Sequence, residues 1–290
     1  MSPTQVATFV AALNAVKSSG KYDDFVRRHV RAMMTPTPAG SSSNAAHCGP
    51  VFLPWHRAFL WEFETLLLEL NPAVGGLPYW WWQSEARLNN GKPKLSRIWT
   101  TDLMGPDGDP ATDNRVLTGP FKDWQAVIYD NTSDGFLTRD SPGLIRKLGR
   151  DPAGATSTLP TEAQITELYT HAVYDIAPYD KTTDSFRNRL EGWIFGPRLH
   201  NQVHRWVGGD MLAGTSPNDP VFWLHHANID LIWWKWQNVT APRRRYAPLS
   251  PDGPIGQRSG DSLGFLLRTD WTPALVDDIR DSSVLGYQYI

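Results

Sequence analysis

The chain carries one cysteine, Cys48, among 290 residues. A single thiol excludes an intrachain disulfide and any cysteine-rich metal cluster, which leaves imidazole and carboxylate as the protein ligands for a buried metal. An excess of charge of one sign is lacking too, since 28 Lys and Arg stand against 30 Asp and Glu. Nothing in that balance builds the basic field that nucleic acid or an anionic membrane attracts, and the run Arg243, Arg244, Arg245 reads as a solvated loop. Charges interrupt every apolar stretch before it reaches the roughly 18 residues of a bilayer span. The amino terminus, MSPTQVATFVAALNAVKSSG, has no basic segment ahead of an apolar block, so it is not read as a signal peptide and a cytoplasmic product is expected. Internal repeats and a long polar linker are also missing, and one domain over 1–290 is expected.

The residues that are present describe a globular chain. With 41% hydrophobic and 12% aromatic residues it has the material for a core, and at this length roughly three quarters of the unfolded surface can be buried. Ser2 and Pro3 form a cap and first turn, after which Val6, Phe9, Val10, Leu13 and Val16 fall at helical spacing up to Gly20. Tyr22, Phe25, Val26, His29 and Met33 continue in steps of three and four and end before Pro36, which puts His29 on a buried stripe. A third helix is expected from near Pro54, with His56 in its first turn and Phe59, Leu60, Phe63, Leu66, Leu67 and Leu70 as its core face. Residues 88–160 are rich in Gly, Pro, Asp and Asn and read as long surface loops with short elements. Two later helices are predicted, one over 199–207 stopped by Gly208 and Gly209, the other from Asp219 as cap and Pro220 as first residue to about Trp236. The expected fold is mainly α, a four-helix bundle with long irregular loops and few short strands.

Histidine supplies the functional signal. The eight histidines are at 29, 47, 56, 171, 200, 204, 225 and 226, and all but His171 fall in three short regions. His200 and His204 share one helical face, and Phe222, His226, Ile229 and Trp233 form a second stripe that points His226 inward, with His225 about 100° around that helix. Six buried imidazoles without compensation would cost about 1–3 kcal/mol each, a large share of a net stability of about 5–15 kcal/mol. Metal coordination removes that cost. The six divide into His29, His47 and His56 from the first half and His200, His204 and His226 from the second, two three-histidine sites. Imidazole donors suit copper, zinc, iron or nickel, and spacing alone does not choose among them, although iron oxygenases generally replace one imidazole by a carboxylate.

The stretch His47-Cys-Gly-Pro-Val-Phe-Leu-Pro-Trp-His56-Arg57, with Glu64 eight residues on, resembles the first copper motif of the tyrosinase family. Asp219-Pro-Val-Phe-Trp-Leu-His225-His226-Ala-Asn-Ile-Asp230 is similar to its second motif, in which the latter of the paired histidines is the ligand. The segments Tyr22–His29, His200–His204 and Tyr287-Gln-Tyr289 fit as well, so the resemblance spans nearly the whole chain. It implies two copper ions, dioxygen as co-substrate and oxidation of phenols to o-quinones. It also implies that His29, His47 and His56 hold one copper and that His200, His204 and His226 hold the other.

By the same resemblance, Glu191 holds a water near the metals and Asn201 helps that water accept a phenolic proton. Arg205, Leu212, Ala213 and Gly214 border the substrate entrance, their small members suggesting a pocket that admits bulky rings. His225 and Asp230 are expected to hydrogen-bond behind the ligands, and His171 matches no family position. The chain departs from the pattern at Tyr79-Trp80-Trp81-Trp82, where most members carry an acidic residue at the third position. Cys48 follows His47, so no thioether crosslink is expected and His47 is placed on a freer loop. The chain ends soon after Tyr289, which is read as lack of a shielding domain. The expected activity is oxidation of o-aminophenols or o-diphenols, with o-hydroxylation of monophenols as an added capacity; the wording around Cys48 and Trp81 keeps o-aminophenol oxidase in view. A tyrosinase acting mainly on monophenols is the alternative, and outside that class a haemocyanin-like oxygen carrier or a two-zinc site. The expected partners are a small phenolic or aminophenolic substrate and a small helper protein that delivers copper and would carry the chain out of the cell, with no nucleic acid and no membrane.

Overall fold

Helix α1, Pro3–Ser18, begins where its residues demand: Ser2 Oγ accepts from the Gln5 amide at 3.2 Å while Gln5 Oε1 accepts from the Ser2 amide at 2.7 Å, with Pro3 at the first helical position. The structure is a computed structural model that describes residues 1–150, 158–281 and 283–290. Helices α2 (Lys21–Met34) and α3 (Phe52–Leu70) follow, then the short α4 (Glu85–Leu88), α5 (Glu162–Leu168) and α6 (Phe186–Glu191), and finally α7 (Leu199–Val207) and α8 (Val221–Gln237). Strands β1 (Val127–Asp130) and β2 (Gly135–Thr138) form a two-stranded antiparallel ribbon, with Val127 opposite Thr138. The fold is therefore mainly α, with long irregular connections, as the periodicity predicts; the part of the predicted loop stretch at 151–157 lies outside the described residues.

The helix boundaries differ from the predicted ones in instructive places. α3 starts at Phe52 rather than near Pro54, because the Phe52 amide already bonds the Gly49 carbonyl and proline is tolerated within a first turn that needs no amide donor. His56 thus lies in the second turn. Leu70, expected on the core face, is 47% exposed at the helix end. Asp219 does cap α8, its Oδ1 accepting from the Val221 amide at 3.1 Å. α5 and α6 are too short for their periodicity to register in the sequence.

Contacts divide the chain into two compact units. The first comprises Met1–Val30, Phe63–Thr161 and Gln202–His225; the second comprises Arg31–Glu62, Glu162–Asn201 and His226–Ile290. The first unit is packed with aromatic rings: Phe63 stacks on Trp223 at 3.7 Å, and Trp223 Nε1 donates to the Tyr22 hydroxyl, which donates to the Pro217 carbonyl. Buried Arg146 donates to both oxygens of Asp219 and to the Met104 and Gly105 carbonyls, which fixes the residue that caps α8. In the second unit Phe186 stacks on Trp236 at 4.2 Å and the Arg57 guanidinium lies 3.6 Å over Trp233. Arg57 Nε donates to Asp230 at 2.6 Å, and Asp230 also accepts from the Tyr287 and Tyr289 hydroxyls, so the carboxy-terminal tyrosines are tied to α8. No helix among the described residues is long and apolar enough to cross a membrane.

Candidate metal centre

Four of the six predicted ligands sit on helices where a backbone carbonyl meets Nδ1 of the ring. His56 Nδ1 lies 2.8 Å from the Phe52 carbonyl one turn earlier on α3. His29 Nδ1, from α2, meets the Gly214 carbonyl at 2.6 Å, and His204 Nδ1, from the last turn of α7, meets the Met211 carbonyl at 2.6 Å. His200 Nδ1 faces the Glu191 carbonyl at 3.2 Å and Asn201 Oδ1 at 3.0 Å. A carbonyl only accepts, so in each of these four rings Nδ1 bears the proton and Nε2 keeps the lone pair that a metal needs.

His47 lies on the segment before α3, and that segment is not free. Asn44 Oδ1 accepts from the His47 amide at 2.7 Å and the Asn44 amide bonds the His47 carbonyl at 3.0 Å, while Ser43 Oγ donates to the Cys48 carbonyl. Buried Gln257 donates to the Thr37 and Asn44 carbonyls and accepts from Val51. The expectation of a freer loop is corrected by this clamp, which depends on side chains distant in sequence.

In the second unit the rings of His47, His56, His200 and His226 converge. His47 is 4.7 Å from His56, His56 stacks on His226 at 4.3 Å, and His200 is 4.9 Å from His226. In the first unit His29 and His204 flank Phe222 at 5.2 and 6.2 Å, and His204 is 5.0 Å from His225. Each unit thus gathers imidazoles that could hold a metal, His29, His204 and His225 in the first and His47, His56, His200 and His226 in the second. Burial holds His29 and His204 down at about 4 despite their backbone hydrogen bonds, so both are neutral and able to bind metal near pH 7. The donor set fits an imidazole-binding metal. The Cys48 thiol, pushed up to about 12 by burial and by Glu191, stays protonated and offers no thiolate.

His225 differs from the other histidines. Trp82 Nε1 donates to His225 Nδ1 at 3.1 Å. Indole only donates, so the His225 lone pair is spent on Trp82 and its proton resides on Nε2, the reverse of the four rings above. Asp230, as described, steadies Arg57 next to His56 rather than any imidazole. His171 belongs to neither histidine group; its carbonyl accepts from Trp236 Nε1 at 2.6 Å.

Glu191 is fully buried at the end of α6, not on a helix surface. Its Oε1 accepts from the Cys48 amide at 2.6 Å and its Oε2 from Arg187 at 2.8 Å, and Arg187 also pairs with Asp175. Burial raises the Glu191 carboxyl above its usual range, opposed by Arg187. Glu191 and Asn201 thus meet at His200, the first through its carbonyl and the second through its side chain. Arg205 is half-buried, Leu212 and Ala213 are exposed and Gly214 is partly covered; Trp81 is solvent-exposed while Trp82 is buried. Arg187, Asn44, Gln257 and Trp82 were missed in the sequence, because no local pattern marks a residue whose partners lie far along the chain.

The family model for the common central domain of tyrosinase matches residues 19–239. The chain is 41% identical over 275 residues to a tyrosinase from Streptomyces antibioticus, covering 94% of this chain and 92% of that one. It is 35% identical over 274 residues to a grixazone synthase from Streptomyces griseus, covering 87% and 86% respectively. A solved polyphenol oxidase from Thermothelomyces thermophila has the same helical fold, with a TM-score of 0.71 at 22% identity over 95% of this chain and 83% of that one.

Proposed function

The chain belongs to the tyrosinase family of copper phenol oxidases, which use a pair of copper ions and dioxygen, and from that membership we propose how its own site works. His29, His47 and His56 hold one copper and His200, His204 and His226 the other. The substrates are o-diphenols and o-aminophenols, oxidised to o-quinones and o-quinone imines, with o-hydroxylation of monophenols as the slower reaction. Copper, when bound, supplies the redox chemistry that passes electrons from substrate to dioxygen. Two diphenols each give up two electrons and two protons, and one dioxygen is reduced to two waters.

One observation carries the substrate reading. Glu191 and Asn201 flank His200 and are the groups proposed to hold and assist the water that takes the proton from a substrate hydroxyl, yet both carboxylate oxygens of Glu191 already accept from Arg187 and Cys48, and Asn201 Oδ1 faces His200. Burial raises this carboxyl above its usual range, but both its oxygens are already engaged, so passing on a substrate proton requires giving up a bond to Arg187 or to the Cys48 amide. The burden falls most heavily on monophenols, which must be deprotonated and then hydroxylated. Diphenols and aminophenols need only lose electrons and protons. Leu212, Ala213 and Gly214 leave the entrance wide, with Arg205 beside it. Copper-loaded protein assayed in parallel for oxygen uptake on tyrosine, a catechol and an o-aminophenol tests this. Prompt uptake with the last two and slow uptake with tyrosine is expected; tyrosine turnover as fast as catechol turnover would overturn it, and reversible oxygen binding without product would favour a carrier.

A further inference from the structure

Between α7 and α8 the chain makes a short connection whose ends are firmly held. Gly209 adopts φ +54°, and a Cβ there would lie 2.0 Å from the Ile145 carbonyl oxygen, so only glycine permits the approach. Asp210 bonds Ile145 in both directions, its amide donating to the Ile145 carbonyl at 2.9 Å and its Oδ2 accepting from the Ile145 amide at 2.8 Å, and it pairs with Arg139. At the other end Asn218 brackets Val127, accepting from its amide and donating to its carbonyl, both at 2.8 Å. Between these anchors the carbonyls of Met211 and Gly214 each receive an imidazole Nδ1–H at 2.6 Å, from His204 and His29 respectively. The side chains between them, Leu212 and Ala213, point to solvent.

We infer that Met211–Gly214 is a positioning segment for both metals: two of its carbonyls hold one histidine of each trio in the Nδ1–H tautomer, so the backbone that borders the entrance also sets how firmly each copper is gripped. This rests on the ligand trios proposed above. A carbonyl behind a ligating imidazole fixes the ring and raises the basicity of its ligating nitrogen, and losing such a partner costs roughly 10–100-fold in metal affinity. Both bonds are short, and their acceptors are three residues apart on one segment. A change in the segment's path, imposed by a bulky ring at the entrance or by a substitution, therefore reaches His29 and His204 together. Entrance width and copper retention are not independent properties of this chain.

Backbone esters in the full-length protein test the inference without altering a side chain that faces the metals. Replacing Leu212 by its α-hydroxy acid turns the Met211 carbonyl into a weaker ester acceptor; replacing Thr215 in the same way weakens the Gly214 carbonyl. The same exchange at Ala213 weakens the Leu212 carbonyl, which receives neither imidazole, and serves as the control. In copper-free protein, nitrogen-15 spectra should show His204 shifting toward the Nε2–H tautomer in the first variant and His29 in the second, with neither changed in the control. Copper dissociation constants from chelator competition should rise about 3–10-fold in the first two and stay level in the third, a part of the loss quoted for removing such a partner. Tautomers and affinities that match the control in all three would overturn the inference. If the unmodified protein fails to bind two coppers, the ligand assignment is what fails, and the tautomer measurement, made without metal, still decides the role of the segment.

Discussion

Replacing Asp230 by Asn is the sharpest test of how the second unit is held together. The carboxylate is 3% exposed and its Arg57 partner fully buried, with Arg57 Nε 2.6 Å from Oδ1 and the Tyr287 and Tyr289 hydroxyls donating to the other oxygen. Asn keeps the shape but removes the charge and turns an amide donor toward groups that are themselves donors. A buried guanidinium deprived of its counter-charge costs about 3–5 kcal/mol. At about 2–4 °C per kcal/mol, the melting midpoint should fall by about 6–20 °C. Arg57 keeps its bonds to the Val276 and Asp277 carbonyls, which holds the loss toward the lower end. Urea titrations of wild type, Asp230→Asn, Arg57→Met, and Arg57→Met with Asp230→Leu measure this directly. Each single replacement should be destabilised by several kcal/mol, and the paired apolar replacement should recover most of it, because no charge is then left buried. An Asp230→Asn protein within 1 kcal/mol of wild type at unchanged slope, an order-of-magnitude threshold, would refute the reasoning.

Three further outcomes are expected. Glu191→Gln combined with Asn201→Asp should lower tyrosine hydroxylation more than catechol oxidation, and equal losses on both would remove the pair from proton transfer. Ala213→Phe should raise KM for o-diphenols with large para substituents while leaving catechol nearly unaffected; an unchanged ratio of the two KM values would mean that residue 213 does not border the entrance. In copper-free protein, His29 and His204 are neutral down to about 4, whereas in the unfolded chain they take up protons below about 6.5. The unfolded state then binds more protons between those limits, so stability falls as pH drops from about 6.5 to 4. Urea midpoints across that window should decline, and less steeply when both residues are Asn; the same decline with both replaced would assign it to other groups.

The proposed ligand set rests on spacing that is local in the sequence. His200 and His204 are one turn apart, and Gly208 and Gly209 end α7 where predicted. His225 and His226 were harder: α8 is buried around most of its circumference, so a stripe argument separates them only weakly. The separation comes from Trp82, more than a hundred residues away, through a hydrogen bond that no periodicity reveals. The short helix α6 escaped notice for a similar reason, since six residues between Ser185 as cap and Gly192 at φ +99° hold less than two turns of pattern. The firm seat of His47 depends on Asn44 and Gln257, and the burial of Glu191 on Arg187 and Asp175; these are choices made by tertiary packing, and composition does not encode them.

Copper counting is the most direct test of the central claim that six imidazoles, and not the seventh, hold a metal pair. Elemental analysis of protein loaded with copper and then stripped of loose ions should give two coppers per chain for wild type and for His225→Ala, and about one for His226→Ala. A wild-type chain that retains fewer than two, or a His225→Ala chain that loses a copper while His226→Ala keeps both, would contradict it.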